Sequence, residues 1–411
     1  MSNNIPEIRF KGFTHAWEQR TLGEAFKQTS TSVNPKEEDI ELWSLTVENG
    51  LTPKTERYNR EFLVKKEDAY KLVLTKEFIY NPMNMTLGAV DLNLTGKEVA
   101  VSGYYITMRT KEAYDDNYFS VWLKSPRAIK LYKLHATGGL LEKQRVQYST
   151  FSEIQTLVPN FSEQTAIGNF FRTLDDTITL HKRKLEGLKE LKLGYLQQMF
   201  PKVGESVPRV RFSGFTGDWK KRKFGEMVEK LKSYSLSRDV ETKEETGYRY
   251  IHYGDIHKQV ADLIVTDEQL PRIKISDYIP LNRGDLVLAD ASEDYTGIAE
   301  PSIILHEPQE KIIAGLHTIA LRPQNTNALY LYYLLHTDTF KKYGCKAGTG
   351  LKVFGITFDN LSIFETTIPI VEEQIAIGYF FYNFDCIIEK QKIKLDRLKQ
   401  LKSAYLQKMF V

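Results

Sequence analysis

Apolar residues recur at alternating spacings of four and three along two stretches of the chain, residues 174–199 and 384–409. This spacing places them along one side of an α-helix and is typical of paired helices in a coiled coil. We predict two helices of about 38 residues, each about 57 Å long, that pack on each other. The predicted seam consists of Leu174, Ile178, Leu185, Leu188, Tyr195, Met199, Phe384, Ile388, Leu395, Leu398, Tyr405 and Met409, with polar interruptions at His181, Lys192, Gln391 and Lys402.

Prolines mark the limits of these helices. Pro159 and Pro369 disfavour helix just upstream, and Ser162 is a candidate cap for the first helix. Pro201, followed by Gly204, predicts where the first helix ends.

The chain contains one unit twice. Residues 6–24 match residues 208–226 without a gap, and residues 158–200 match residues 368–410 with roughly half the positions identical. Each copy is therefore a variable body followed by a similar helical tail, and the internal repeat predicts a pseudo-twofold arrangement. The first match shares Pro6, Arg9, Phe10, Gly12, Phe13, Thr14, Trp17, Arg20, Gly23 and Glu24 with its second copy.

The two bodies, roughly residues 20–157 and 225–367, show short strand-like runs followed by a helical stretch. The helical stretches lie near 117–134 and 327–343, and each follows a matching strand, 104–110 or 317–323. This order predicts an α+β fold that both bodies share. The strand-like runs are 42–47, 99–110, 248–252, 285–290, 302–305 and 311–321.

Charge and composition change this picture little. The net charge is only +3, but fourteen basic residues face six acidic ones between Lys182 and Lys232, which suits an anionic polymer. Cys345 and Cys386 follow no zinc or redox spacing and are expected to be free thiols. Without a long apolar run or a secretory signal, we expect a cytoplasmic protein with no membrane partner.

The sequence offers little catalytic machinery. Residues 80–83 (YNPM) resemble the Asn-Pro-Pro-aromatic motif of DNA methyltransferases, but the second proline and the aromatic residue are missing. There is no phosphate-binding G-x-x-x-x-G-K-[ST] motif, and the pair His252 and His257 lacks the H-E-x-x-H context of a zinc site. We therefore expect a non-catalytic chain that holds no metal or cofactor.

The duplicated elements resemble a known family. The R-F-x-G-F-x-x-x-W motif at 9–17 and 211–219, the P-x-x-x-E-Q-x-A-I-G-x-F-F motif at 159–171 and 369–381, and the endings at 195–200 and 405–410 are similar to those of type I restriction-modification specificity subunits. Residues 80–90, 250–256 and 284–290 are similar to segments of their target-recognition domains. The resemblance covers essentially the whole chain.

This resemblance implies two globular α/β target-recognition domains separated by two long antiparallel coiled-coil helices. The implied domains are residues 1–157 and 203–367, and the implied spacer helices are residues 158–202 and 368–411. It also implies that the chain reads a split, asymmetric site in double-stranded DNA and docks two methyltransferase subunits and the restriction/translocase subunits. S-adenosylmethionine, ATP and magnesium would belong to those partners.

We expect DNA contacts from loops that follow the matched strands. Amide side chains can pair with adenine edges, and basic residues beside glycines suit phosphates. The candidates are Thr46, Asn49, Lys54, Arg57, Tyr80, Asn81, Asn84, Lys143 and Arg145 in the first body, and His252, Tyr253, Asp255, Lys346 and Lys352 in the second.

Two alternative interpretations remain at this point. The chain could be a DNA methyltransferase or nuclease with degenerate motifs, or a scaffold that joins two proteins through its helices without touching DNA. Binding of S-adenosylmethionine by the isolated chain would favour the first. Failure to bind random duplex would favour the second, because phosphate-driven binding weakens steeply with salt.

Overall fold

The computed structural model describes residues 4–35, 37–54, 70–138, 144–202, 204–293, 297–350 and 353–411. The chain divides into two units, Met1–Lys182 with Ile393–Val411, and Arg183–Lys392. Each long helix, α5 (Phe161–Gln198) and α10 (Val371–Lys408), therefore contributes residues to both units. Among the described residues, no helix combines the length and apolar character needed to cross a bilayer.

The first unit is built mainly of antiparallel strands around an aromatic core. Trp17, Phe26, Phe78, Phe119 and Trp122 are buried together there. Its elements are β1 (Glu18–Thr21), α1 (Leu22–Ala25), β2 (Phe26–Thr29), β3 (Thr31–Val33), β4 (Trp43–Thr46), β5 (Gly50–Pro53), β6 (Tyr70–Val73), β7 (Phe78–Tyr80), β8 (Val90–Leu92), β9 (Val99–Ser102), β10 (Ile106–Thr110), α2 (Asp116–Trp122), α3 (Pro126–His135), α4 (Tyr148–Glu153) and β11 (Gln155–Val158).

The second unit repeats this plan with a larger sheet. Its core gathers Trp219, Phe224, Tyr330, Tyr333 and Phe381. Its elements are β12 (Lys220–Lys223), β13 (Val228–Lys230), β14 (Tyr248–Ile251), α6 (Tyr253–His257), β15 (Leu263–Ile264), β16 (Leu286–Ala289), β17 (Ala291–Ser292), β18 (Pro301–Ile304), β19 (Lys311–Ala314), β20 (Thr318–Pro323), α7 (Ala328–Leu335), α8 (Asp338–Ala347), β21 (Phe354–Gly355), α9 (Phe358–Ser362) and β22 (Glu365–Ile368).

The sheets of the two units correspond strand by strand. The order β2-β10-β7-β8 in the first unit matches the order β13-β20-β16-β18 in the second, and all neighbours in both are antiparallel. The pair β1·β11 likewise matches β12·β22. The predicted α+β class with an internal repeat is confirmed.

The long helices pair antiparallel inside each unit. In the first unit, the ring centroids of Phe170 and Tyr405 lie 5.0 Å apart, and Lys402 Nζ lies 2.5 Å from Asp175 Oδ1. In the second unit, Lys192 Nζ lies 2.5 Å from Asp385 Oδ1. Two of the polar interruptions therefore form ion pairs between the helices. No residue of the predicted seam is exposed: Leu174, Leu185, Met199, Leu395 and Met409 are buried, and Ile178, Leu188, Tyr195, Phe384, Ile388, Leu398 and Tyr405 are partly buried.

The N-terminus of α5 differs from expectation in its cap. Ser162 lies inside the helix, and Asn160 Oδ1 accepts a hydrogen bond from the Glu163 N–H at 2.9 Å. The prediction of Ser162 as the cap is wrong because Asn160 occupies the position just before the first helical residue, where an amide oxygen can reach a free N–H group.

Each predicted body helix is in fact two helices. Ser125 accepts a hydrogen bond from the Ala128 N–H and precedes Pro126, so it starts α3 just after α2 ends. Thr337 starts α8 in the same way, with its hydroxyl accepting from the Phe340 N–H. A capping side chain inside an apolar run thus divides the stretch.

Two of the predicted strands are also divided by turns. The run 99–110 forms β9 and β10, because the Tyr105 N–H donates to the Ser102 carbonyl and closes a turn. The run 311–321 forms β19 and β20, and His317 in the turn between them has a φ of 54°.

The recurring sequence motifs meet in space within each unit. Arg9 donates to both oxygens of Glu163 at 2.6 and 2.7 Å, and to the carbonyl of His15. Arg211 and Glu373 repeat this pair at the same two distances. Hydrogen bonds to the buried glutamate raise the pKa of each guanidinium above its usual value. In each half, this ion pair therefore holds the opening motif against the start of a long helix.

The glutamine and the glycine of the P-x-x-x-E-Q-x-A-I-G-x-F-F motif hold the long helix against the body. Gln164 accepts from the Asp115 N–H at 3.0 Å and donates to the Pro159 carbonyl at 2.8 Å. Gly168 lies against the start of α2, and a Cβ at Gly168 would be 2.6 Å from the backbone nitrogen of Tyr118. These residues bring the long helix and the body into close contact.

Candidate nucleic-acid interface

One edge of the first unit is formed by the loop between β7 and β8, the helix α3 and the segment after it. The Val146 N–H donates to the Pro82 carbonyl at 3.0 Å, which joins the end of that segment to the loop. Thr137 and Arg145 exchange backbone hydrogen bonds and form an antiparallel bridge after α3. A loop, a helix and this bridge are thus held side by side.

Several sequence candidates meet at this edge. Asn84 and Arg145 are exposed, and Asn81 is half-buried because its side-chain oxygen accepts from the Met83 N–H at 3.0 Å. Exposed apolar residues lie among them: Met83, Leu87 and Leu134. The edge therefore offers amide, cationic and apolar groups, which are the groups that contact bases and phosphates.

Tyr80 is an incorrect candidate. Its side chain is completely buried and its ring stacks on Phe151 with 5.4 Å between centroids. Burial raises the pKa of the Tyr80 hydroxyl well above its usual value. Tyr80 packs the core beneath the loop, because β7 lies between β10 and β8 and all three of its residues are buried.

The hairpin of β4 and β5 lies beside this edge. The Leu51 N–H donates to Asp91 Oδ2 at 2.8 Å, and Asp91 pairs with Lys124 at 2.5 Å just before α3. Thr46, Asn49 and Lys54 are all exposed on the hairpin, and the Thr46 hydroxyl accepts from the Asn49 N–H. Arg57, Lys143 and Lys352 lie outside the described residues.

The second unit builds the same edge from different side chains. The Ile356 N–H donates to the Asp290 carbonyl at 2.9 Å, as Val146 does to Pro82. Thr349 and Gly355 form the corresponding antiparallel bridge after α8, and Lys346 is exposed at the end of that helix. The equivalent loop therefore begins at Asp290, in place of the Asn-Pro sequence of the first unit.

His252 and Asp255 are used by the fold itself. His252 is buried, and its Nδ1 accepts from the Gly254 N–H at 3.1 Å as the cap of α6. Asp255 is buried against Arg238, with 2.7 Å between Arg238 Nη2 and Asp255 Oδ1. Burial lowers the pKa of His252. Both side chains are engaged inside the unit and are left out of the proposed DNA contacts, whereas Tyr253 between them is partly exposed.

His257 and His317, neither of them among the predicted DNA contacts, lie against Tyr253, and Asp290 lies against His317. The Tyr253 ring lies 5.3 Å from His317 and 5.9 Å from His257, and His317 Nδ1 lies 3.2 Å from Asp290 Oδ1. His317 directly precedes β20, in the place that Tyr104 takes in the matching run of the first body. That alignment was a signal that could have identified His317.

The described residues contain no cluster of three or more histidine, cysteine or acidic side chains arranged to hold a metal ion. The edge offers contacts for a large polar surface rather than a set of ligands around one atom.

Comparisons with known proteins agree with this architecture. The chain is 23% identical over 349 residues to the "Type I restriction enzyme MjaVIII specificity subunit" of Methanocaldococcus jannaschii, covering 80% of this chain and 79% of that protein. Its fold is similar to that of the type I restriction-modification system S subunit from M. genitalium, with a TM-score of 0.60, 15% identity and 99% of both chains covered.

A second solved chain is similar in fold over 96% of this chain and 97% of its own length, with 15% identity and a TM-score of 0.54. It comes from work on complex assembly and conformational transition of the type I R-M system. A family model, "Type I restriction modification DNA specificity domain", matches residues 15–190 and again 216–400. The chain therefore belongs to the family of type I restriction-modification DNA specificity proteins.

Proposed function

We propose that each unit reads one half of a split, non-palindromic site in duplex DNA on behalf of a type I restriction-modification complex. The observation that carries this proposal is that one edge is built twice, from a loop, a helix and an antiparallel bridge, with different side chains each time. Two edges with the same backbone elements but different exposed side chains suit the recognition of two different short DNA sequences. Residues 1–157 and 203–367 are the proposed reading domains, and residues 158–202 and 368–411 the proposed spacers.

The proposed contacts follow the chemistry of the edge. Lys54, Arg145 and Lys346 are exposed cations suited to phosphates, which fix position without reading sequence. Asn49 and Asn84 are exposed amides suited to base edges in the major groove. We expect the two half-site centres to lie roughly 10 bp apart, as in other two-headed readers.

Exchange of one body tests the proposal. Residues 225–367 would be replaced by the matching body of another family member, and methylated sites would be mapped in cells that also express the methyltransferase subunit. We expect the first half-site to stay as it was and the second to become that of the donor. The unmodified chain is the control. A recognition sequence that stays whole, or changes in both halves, would contradict one reader per unit.

We also propose that the long helices dock two methyltransferase subunits, and that the restriction/translocase subunits join that core in the cytoplasm. S-adenosylmethionine, ATP and magnesium would serve in those subunits. The N-terminal part of α10 presents an exposed apolar row at Val371, Ile375 and Tyr379, and Tyr379 is 52% exposed. Exposed apolar residues in a row on one helix favour a protein contact there.

Charge placed in this row should weaken docking. We expect the double variant Ile375→Glu, Tyr379→Glu to lower the affinity for the methyltransferase subunit at least about tenfold, because a carboxylate buried without a partner is strongly unfavourable. The measurement is titration of the labelled subunit with the full chain. The double variant Ile275→Glu, Ile279→Glu is the matched control, because these two exposed apolar residues belong to the second body and lie on neither long helix. Unchanged affinity in the double variant would place the docking surface elsewhere.

A further inference from the structure

The second unit carries three ring side chains and one carboxylate that its fold does not explain. We call them the imidazole cluster: Tyr253 and His257 lie on α6, His317 lies in the turn before β20, and Asp290 lies directly after β16. His257 Nε2 donates to the Ala291 carbonyl at 2.8 Å, so this ring is fixed by the loop of the proposed reading edge. The cluster and that edge are therefore continuous.

His317 is the most unusual member of the cluster. Its φ of 54° lies in the left-handed region, which histidine adopts only occasionally, and its side chain is 50% exposed. Such backbone conformations concentrate at functional sites. The turn that holds His317 is closed by another side chain, since the Thr318 hydroxyl donates to the Gly315 carbonyl at 2.7 Å. The imidazole itself is therefore not needed to make the turn.

The hydrogen bonding of His317 leaves one ring nitrogen available. An ionised carboxylate only accepts hydrogen bonds, so the contact with Asp290 Oδ1 places a proton on His317 Nδ1. No described residue bonds to His317 Nε2. One nitrogen is thus oriented by Asp290, and the other is free for a single hydrogen bond to a ligand.

The first unit has different chemistry at the place that matches His317. In the aligned runs 104–110 and 317–323, Tyr104 stands where the second unit has His317, and Tyr104 is exposed. A structural requirement common to both bodies would favour the same residue at this position. Unlike residues at an equivalent, exposed place are what two readers of different sequences need.

We propose that His317 and Tyr253 read bases of the second half-site in the major groove, with Asp290 and His257 as positioning residues. This inference rests on the proposed function. It names the residues that determine which bases the second unit recognises. The free His317 Nε2 would bond to one base edge, while the Tyr253 ring would contact the neighbouring apolar surface, such as a thymine methyl group.

Substitution of His317 by asparagine tests the proposal. Asparagine accepts the left-handed backbone, so His317→Asn removes the imidazole without straining the turn. The full chain would be expressed with its methyltransferase subunit, and methylated sites would be mapped across the genome. We expect discrimination at one position of the second half-site to fall by about tenfold, with the first half-site unchanged.

Two further variants make the result decisive. Tyr253→Leu should relax the same half-site, whereas Asn325→Gly, at another exposed left-handed position of this unit, should change neither half. Thermal unfolding of each variant confirms that the chain is folded. A second half-site unchanged in both folded cluster variants would overturn the assignment, and so would an equal loss across all base variants, which indicates a phosphate contact. If body exchange changes the second half-site sequence but His317→Asn does not, only this assignment fails. If body exchange leaves the recognised sequence unchanged, the proposed function fails.

Discussion

Glu163→Ala is expected to lower the free energy of unfolding of the first unit by about 3–5 kcal/mol. Glu163 has a fully buried side chain, and both its oxygens accept from Arg9, whose side chain is 11% exposed. Removing the carboxylate leaves a mostly buried guanidinium with only the His15 carbonyl as its partner, which is far more costly than losing a surface pair. Glu373→Ala should have a similar effect on the second unit, where Glu373 and Arg211 repeat the pair.

Urea denaturation followed by tryptophan fluorescence measures this effect. Three of the four tryptophans, Trp17, Trp43 and Trp122, lie in the first unit, so the total emission follows mainly the unfolding of that unit. The matched control is Glu7→Ala, which removes an exposed partner of Lys408 in the same unit and should change the free energy by less than about 1 kcal/mol. Equal losses in the two variants would contradict a special role for the buried pair.

Gly168→Ala should lower the free energy of unfolding by about 1–3 kcal/mol, although alanine favours helix. The added Cβ would lie 2.6 Å from the backbone nitrogen of Tyr118 and 2.8 Å from the carbonyl carbon of Asn117, and neither backbone atom can move without shifting α2. Overpacking of this kind outweighs the gain in helix propensity. Gly378→Ala should behave alike, because its Cβ would lie 3.0 Å from the backbone nitrogen of Tyr330.

Gly187→Ala on the same helix is the matched control, with an expected effect of opposite sign. No atom lies within 4 Å of the Cβ that it would add. Replacing an unconstrained helical glycine with alanine should therefore raise the stability by about 0.5–1 kcal/mol. Thermal or urea unfolding of the two single variants gives the comparison, and destabilisation in both would show that the close contact at Gly168 is not the cause.

Much of the architecture could be predicted because it is written in periodic patterns. The spacing of Leu174, Leu185 and Met199 places them along one side of an α-helix. The observed helix α5 has the predicted 38 residues. The exact ends of the helices were harder to predict from the sequence, because several neighbouring side chains could cap the same helix. Asn160 displaced Ser162 as the cap, and Ser125 and Thr337 divided helices that the apolar pattern alone runs together.

The candidate interface was predictable only in part, because the exposure of a side chain depends on what packs against it in the folded chain. Tyr80 and Asn81 are neighbours in sequence, yet β7 buries the first completely and leaves the second half-buried in the loop. His317 and Tyr253 are 64 positions apart, and only the return of β20 to the sheet brings their rings within 5.3 Å.

The sequence by itself determined the duplication, the two long helices, the α+β bodies and the family, because each of these is carried by repetition or by local periodicity. Only the tertiary structure shows which contacts the repeated residues make. Arg9 and Glu163 are 154 positions apart, and their ion pair exists only once the opening segment has folded onto the start of α5. It also decided which loops share one edge, because contacts between distant segments depend on packing that no local pattern encodes.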